Sequence, residues 1–203
     1  MAKPTIYVVY YSINGHVRTV ADSIIVGLKK NNNVNVELRQ FEEILTEDVL
    51  AKLGATHRDT SVPTFTLAEI ESGDAFLFGF PSRFGGAPFQ VKSFFDKTGG
   101  LWASRKLNGK MAGTFFSSGS QSGGQETVAY TFLPNLFHHG MIYVPVGSNQ
   151  PNILPTDEII GGSTYGAGTV AGYDASRQVT DAEKAYAVVQ GEVFANTVAK
   201  YYS

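Results

Sequence analysis

Apolar residues along this chain switch repeatedly between two spacings. Thr5 to Tyr11 is a continuous apolar, β-branched and aromatic run, the pattern of a strand buried on both faces. After Ser12-Ile13-Asn14-Gly15-His16, apolar residues recur at helical spacing: Val17, Val20, Ala21, Ile24 and Leu28. Asn31-Asn32-Asn33 ends that helix, and Val34 to Phe41 alternates as a strand does. Thr46 to Leu53 predicts a short helix stopped at Gly54, residues 55–65 a loop, and Leu67 to Ile70 another helical stretch. Ala75 to Phe80 is the third strand, Pro81 to Ala87 a loop, and Val91, Phe94 and Phe95 mark a helix. Met111 to Phe116 is the fourth strand, followed by a polar, Gly-rich loop from Ser117 to Gly124. Gln125 to His139 has helical spacing at Val128, Phe132 and Leu136, with a kink or break expected at Pro134. Met141 to Val144 is the fifth strand. Residues 145–179 lack periodicity and read as a long functional loop. The last helix opens on a Thr180-x-x-Glu183 capping box and is expected to bury Ala182, Tyr186, Val189 and Val193.

Strands and helices therefore alternate along the chain. Such a pattern predicts an α/β fold with an open parallel sheet, helices on both faces and right-handed crossovers. Ligands of such sheets lie beyond the carboxyl ends of the strands, at the point where strand order reverses. Chemistry is thus expected in the loops after strands one, three and four. The chain has 203 residues and reads as a single domain with a long insertion at about 145–179.

Composition narrows the chemistry. The chain has no Cys, which excludes thiolate catalysis, disulfides and Cys-bound clusters. A formal charge of −2 leaves no electrostatic footprint for nucleic acid. No apolar run reaches the ~20 residues of a bilayer span. The N-terminal Met1-Ala2-Lys3-Pro4 carries no apolar signal segment, so a cytoplasmic protein is expected.

The first loop, Ser12 to Val17, joins a buried strand to a helix N-terminus, where unpaired N–H groups and the helix dipole favour an anion. A plain strand–helix turn with a Ser cap is the bland alternative. His16 either touches that anion or merely begins the helix. The second loop, Pro81-Ser82-Arg83-Phe84-Gly85-Gly86, is stiffened by proline and can fold its backbone against a flat ligand, with Arg83 and Phe84 alongside. The alternative is a turn with a solvated Arg83. The third, Ser117-Ser118-Gly119-Ser120-Gln121-Ser122-Gly123, offers hydroxyls and amides but no acid or base. Phosphate-loop and nucleophile-elbow motifs are absent. Gly166-Ala167-Gly168-Thr169-Val170-Ala171 matches a dinucleotide motif but follows no clear strand and opens no helix. Trp102, the one Trp, reads either as core or, from its Gly-rich setting, as a site residue. His138-His139 lacks metal-ligand spacing, which leaves one of them as a hydrogen-bond donor to a ligand.

Several longer stretches, however, resemble a family. Arg83-Phe84-Gly85, Thr98 to Ser104, Gly123-Gly124-Gln125-Glu126, His138-His139-Gly140-Met141 and Gly161 to Ala167 are similar to the WrbA-type (type IV) NAD(P)H:quinone oxidoreductases. The resemblance runs from Tyr10 to the final helix. It implies a flavodoxin-like, doubly wound, five-stranded parallel sheet in the order 2-1-3-4-5. It also implies bound FMN, NADH or NADPH as co-substrate, ping-pong two-electron reduction of quinones with an antioxidant role, and a homotetramer whose subunits wall each other's flavin sites. No side chain need be catalytic, since the flavin carries the hydride. By matching, Ser12, Ile13, Asn14, Gly15, His16 and Val17 hold the FMN phosphate. Pro81 to Gly86 cradle the ring, Ser117 to Gly123 and His138 complete the site, and Trp102 and Phe84 face the substrate. Residues 147–179 form the family's insertion and serve assembly. The chain departs from the family at Asn14, at Gly86 and in a third loop one residue longer. Those departures bear on nicotinamide affinity and donor choice. A one-electron carrier and a non-enzymatic FMN-binding scaffold are the rival readings, and peripheral membrane association stays open.

Overall fold

Thr5–Tyr10 forms β1 at the centre of the sheet, and its two faces feed two separate cores. Ile6, Val8 and Tyr10 point to one side; Tyr7, Val9 and Tyr11 point to the other. The structure is a computed structural model and describes residues 2–55, 59–148, 154–155 and 157–203; residues 56–58 of the first long loop, and 149–153 and 156 of the 145–179 segment, lie outside it.

β1 pairs in parallel with β2 (Asn35–Gln40) and with β3 (Ala75–Pro81), and β3 pairs in parallel with β4 (Met111–Ser118). All eight residues of β4 are buried, its polar Thr114, Ser117 and Ser118 included. One face carries α1 (His16–Leu28) and the last helix, α7 (Asp181–Tyr201). The other carries α3 (Leu67–Ser72), α4 (Phe89–Asp96) and α6 (Gln125–His138). The second core is aromatic: the rings of Phe80 and Phe95 lie 4.9 and 5.1 Å from that of Phe132. Two shorter helices complete the set, α2 (Glu47–Lys52) and α5 (Gly99–Ala103).

The order 2-1-3-4 is as expected, and the fifth position holds a difference. The expected strand from Met141 to Val144 shrinks to β5 (Ile142–Tyr143), which pairs only with the start of β4. The end of β4 pairs instead with β7 (Gly166–Val170), edged by the antiparallel β6 (Gly162–Ser163). The 145–179 segment is therefore not loop throughout: it leaves the sheet at one half of the strand position and returns as the other half. Its glycines hid the strand. A Cβ at Gly166 would lie 1.8 Å from the Thr114 carbonyl oxygen, so close approach to β4 excludes the β-branched residues that announce a strand. The Gly166–Ala171 motif is thus sheet and not a nucleotide turn.

Two further expectations change. α6 runs unbroken through Pro134, which lies exposed on its outer side, where the carbonyl freed by the missing N–H can be hydrated. α7 is turned from its expected face. Tyr186 is buried, but Ala182, Val189 and Val193 are only partly so, while Glu183 and Gln190 are buried. Their partners lie in and beside the returning strand: Gln190 Oε1 accepts from Ala167 N at 2.8 Å, and its Nε2 donates to the Thr114 oxygen at 2.8 Å. Among the described residues, no helix is long and apolar enough to cross a membrane.

Candidate functional site

Strand order reverses between β1 and β3, and an open cleft lies there at the carboxyl ends of the strands. Three expected loops meet in it: Ser12, Ile13, Asn14, His16 and Val17 from the first, Pro81 to Arg83 from the second, and Ser117 to Gly119 from the third. Gly15, at φ 84°, turns the chain into α1 with no side-chain cap. The N–H groups of Ser12 to Val17 take no hydrogen-bond partner among the described residues. A concave run of free donors at a helix N-terminus attracts an anion.

The second loop is a two-residue hairpin. Arg83 N donates to Gly86 O at 2.8 Å and Gly86 N to Arg83 O at 2.9 Å, with positive φ at Phe84 (53°) and Gly85 (76°). Ser82 N donates to Ser117 O at 2.7 Å, which ties this loop to β4. Phe84 stands fully exposed at the tip. The third loop curls back through Ser118 Oγ to Ser120 O at 2.8 Å. Ser120, Gln121 and Ser122 therefore face an adjoining hollow beside Ile160 and Gly162, while Gly123 packs its Cα side against Ser120.

Among the described residues, the ionisable side chains lining the cleft are His16, Arg83 and Tyr173. His16 Nε2 bonds the Arg177 carbonyl at 2.8 Å, which makes it a donor there. At the cleft's flank Tyr11 donates to Glu43 at 2.9 Å, and Gln90 Nε2 donates to Tyr11 at 2.6 Å. Burial, then the bond to Glu43, pushes the Tyr11 phenol up. Burial pushes the Glu43 carboxyl up too, but bonds from Gln90, Leu45 N, Tyr11 and Ile44 N outweigh it and hold the group below its usual range. Tyr11 stays neutral and Glu43 charged across neutral pH, so neither trades protons with a ligand.

Two expected site residues lie elsewhere. His138 ends α6 and Trp102 lies in α5, the segments that lead into the starts of β5 and β4, and neither lines the cleft at the strands' carboxyl ends. Their segments touch: Thr98 Oγ1 bonds His139 Nε2 at 2.8 Å. Trp102 is 57% exposed, which removes the core alternative. Conversely, Ala171, Gly172, Tyr173 and Ala175 line the cleft, and the sequence reading missed them. Their signal was Gly172 before Asp174-Ala175-Ser176, a turn in which Asp174 accepts from Ser176 N at 3.1 Å.

Residues 8–140 match the model of the flavodoxin family. The chain is 48% identical over 196 residues to a protein named quinone-oxidoreductase QR2 from Triphysaria versicolor, covering 96% of this chain and 95% of that one. It is 43% identical to the NAD(P)H quinone oxidoreductase PST2 of Candida albicans, over 99% of both chains. A solved structure, the flavodoxin, WrbA-like protein from Agrobacterium tumefaciens, superposes with a TM-score of 0.66 at 21% identity, covering 98% of this chain and 99% of that one; at that identity the likeness concerns the fold.

Proposed function

The chain belongs to the flavodoxin family, among the WrbA-type NAD(P)H:quinone oxidoreductases, and on that premise we propose that it reduces quinones by two electrons at an FMN held in the β1/β3 cleft. The observation that carries this reading is the run of free N–H groups from Ser12 to Val17, opening into a cleft lined, among the described residues, by no carboxylate. The residues fit FMN. Neutral donors suffice for a phosphate monoester, and the Pro81–Arg83 and Ser117–Gly119 segments, tied to each other through Ser82 N and Ser117 O, wall the cleft where a planar ring would lie.

When bound, FMN would supply the two-electron hydride chemistry that links NADH or NADPH to the quinone. The chain's part is position and charge. Ser12 to Val17 fix the phosphate, and the Arg83–Gly86 hairpin fixes the ring's polar edge. The Arg83 guanidinium favours negative charge that develops there. One open face would serve donor and quinone in turn, and the proton that completes the hydroquinone would come from solvent in that open cleft. Trp102 and His138 join the site from a neighbouring copy in a homotetramer. The exposed side chains of Phe84, Trp102 and Phe137, the last two 57% and 56% exposed, support that arrangement.

Anaerobic stopped-flow of the FMN-loaded protein with NADH, then NADPH, followed by benzoquinone, tests this function. Rapid loss of flavin absorbance and its full return on adding quinone is expected. FMN that binds but stays oxidised with both donors overturns the reading.

A further inference from the structure

Glu183 is an ionisable side chain with no solvent exposure, and nothing in the proposed chemistry uses it. Its Oε1 accepts from Gly161 N at 2.9 Å and Val170 N at 3.1 Å; its Oε2 accepts from Thr169 Oγ1 at 2.8 Å and Thr180 N at 2.9 Å. Arg177 Nη1 donates to both oxygens, at 3.0 and 3.2 Å. A buried carboxylate this fully bonded holds its partners in one geometry, and removing the guanidinium leaves its charge uncompensated.

Arg177 carries that geometry towards the cleft. Its guanidinium also donates to Val170 O and Ile159 O, both at 2.6 Å. Its N–H donates to Ala171 O at 3.0 Å and closes the loop whose Gly172, Tyr173 and Ala175 line the cleft. Its carbonyl accepts from His16 Nε2 at 2.8 Å, at the first residue of α1. Arg177 and Glu183 themselves do not line the cleft.

We propose that the Arg177–Glu183 pair is a positioning device for the phosphate end of the flavin. By fixing the Arg177 carbonyl it anchors the His16 imidazole to the returning loop. The loop of free N–H groups is thereby held in its anion-binding shape, and the Gly172–Ala175 wall is seated beside it. The pair acts through His16 and touches neither flavin nor substrate. It lies in the insertion and the last helix, so those late segments set the selectivity of a loop formed at the start of the chain. The inference rests on the FMN reading above.

A purely structural role would weaken every ligand alike; a role at the phosphate end discriminates between FMN and riboflavin, which lacks the phosphate. The full chain, stripped of flavin, is titrated with each by quenching of flavin fluorescence. In Arg177→Met the preference for FMN over riboflavin is expected to fall about tenfold, the scale of one charge-assisted bond, with riboflavin affinity within about twofold. In a His16→Phe background the same substitution is expected to change the preference by no more than about twofold, because the path already lacks its link. Arg177→Lys keeps a charge opposite Glu183 but cannot span its other acceptors; it is expected to lose about threefold in preference, and it decides the matter if the Met variant does not fold. An unchanged preference, equal losses for both flavins, or equal losses in both backgrounds overturns the inference. Wild-type protein that binds neither flavin overturns the FMN reading itself.

Discussion

Phe84 combines two features that local stability does not favour: a left-handed backbone at φ 53° and a fully exposed ring. The backbone alone costs a non-glycine residue about 1–2 kcal/mol. The hairpin holds the conformation through the paired Arg83 and Gly86 and through Thr131 Oγ1, which donates to Gly85 O at 3.0 Å. Such strain is kept where it serves a site. In Phe84→Gly, relief of that strain is offset by the roughly 0.5–1 kcal/mol that glycine's freedom adds to the unfolded state. Urea unfolding should therefore give a midpoint equal to wild type or slightly higher, while quinone kcat/KM falls about tenfold. A clear loss of stability with unchanged turnover would assign the ring to the fold instead.

At the scale of elements, the contact between α1 and α7 explains why a helix of modest amphipathicity is held firmly. Gly27 and Gly191 bring the two backbones together: a Cβ at Gly191 would lie 2.1 Å from the Ile24 oxygen, and one at Gly27 1.9 Å from the Val188 oxygen. These neighbours are main chain and cannot rotate aside. Gly191→Ala gains about 1 kcal/mol of helix propensity yet forces the helices apart, at a typical cost of about 1–3 kcal/mol or more. A net loss of stability is expected in urea titration, and a gain would mean that the pair slides apart freely. The same contact explains the turned face of α7. Close backbones place Glu183 and Gln190 inward, where strand β7 supplies their partners, and leave Val189 and Val193 partly exposed.

For the whole molecule, Trp102 and His138 lie outside the cleft of their own chain, so the proposed function makes assembly testable. Light scattering of the purified chain should give four times 21.9 kDa at micromolar concentration. Trp102→Asp, which places a charge in an apolar contact, should lower that mass and quinone turnover together while FMN remains bound. Full turnover by a monomeric variant would separate the two and remove the neighbour from the site.

The sequence by itself determined the sheet and the meeting place of the loops. Two-sided burial writes β1 and β3 as almost continuous apolar runs, and the position of a strand's end decides where a ligand lies. Hence Ser12 to Val17, Pro81 to Arg83 and Ser117 to Gly119 were legible as loops that meet at one end of the sheet, and the capping box at Thr180 marked the start of α7. Only the tertiary structure decided the rest. β7 is a strand because Gly166 must approach β4, and glycine erases the hydrophobic signal that marks strands. Glu183 is legible as a capping-box residue, but its burial is tolerable only because Arg177, Thr169 and the N–H groups of Gly161 and Val170 converge on it beside the capping bond from Thr180. Tyr173 joined the cleft because the chain returns through the fifth strand position. Periodicity records which way a residue faces within its own element; partners that arrive from elsewhere in the chain leave no local trace.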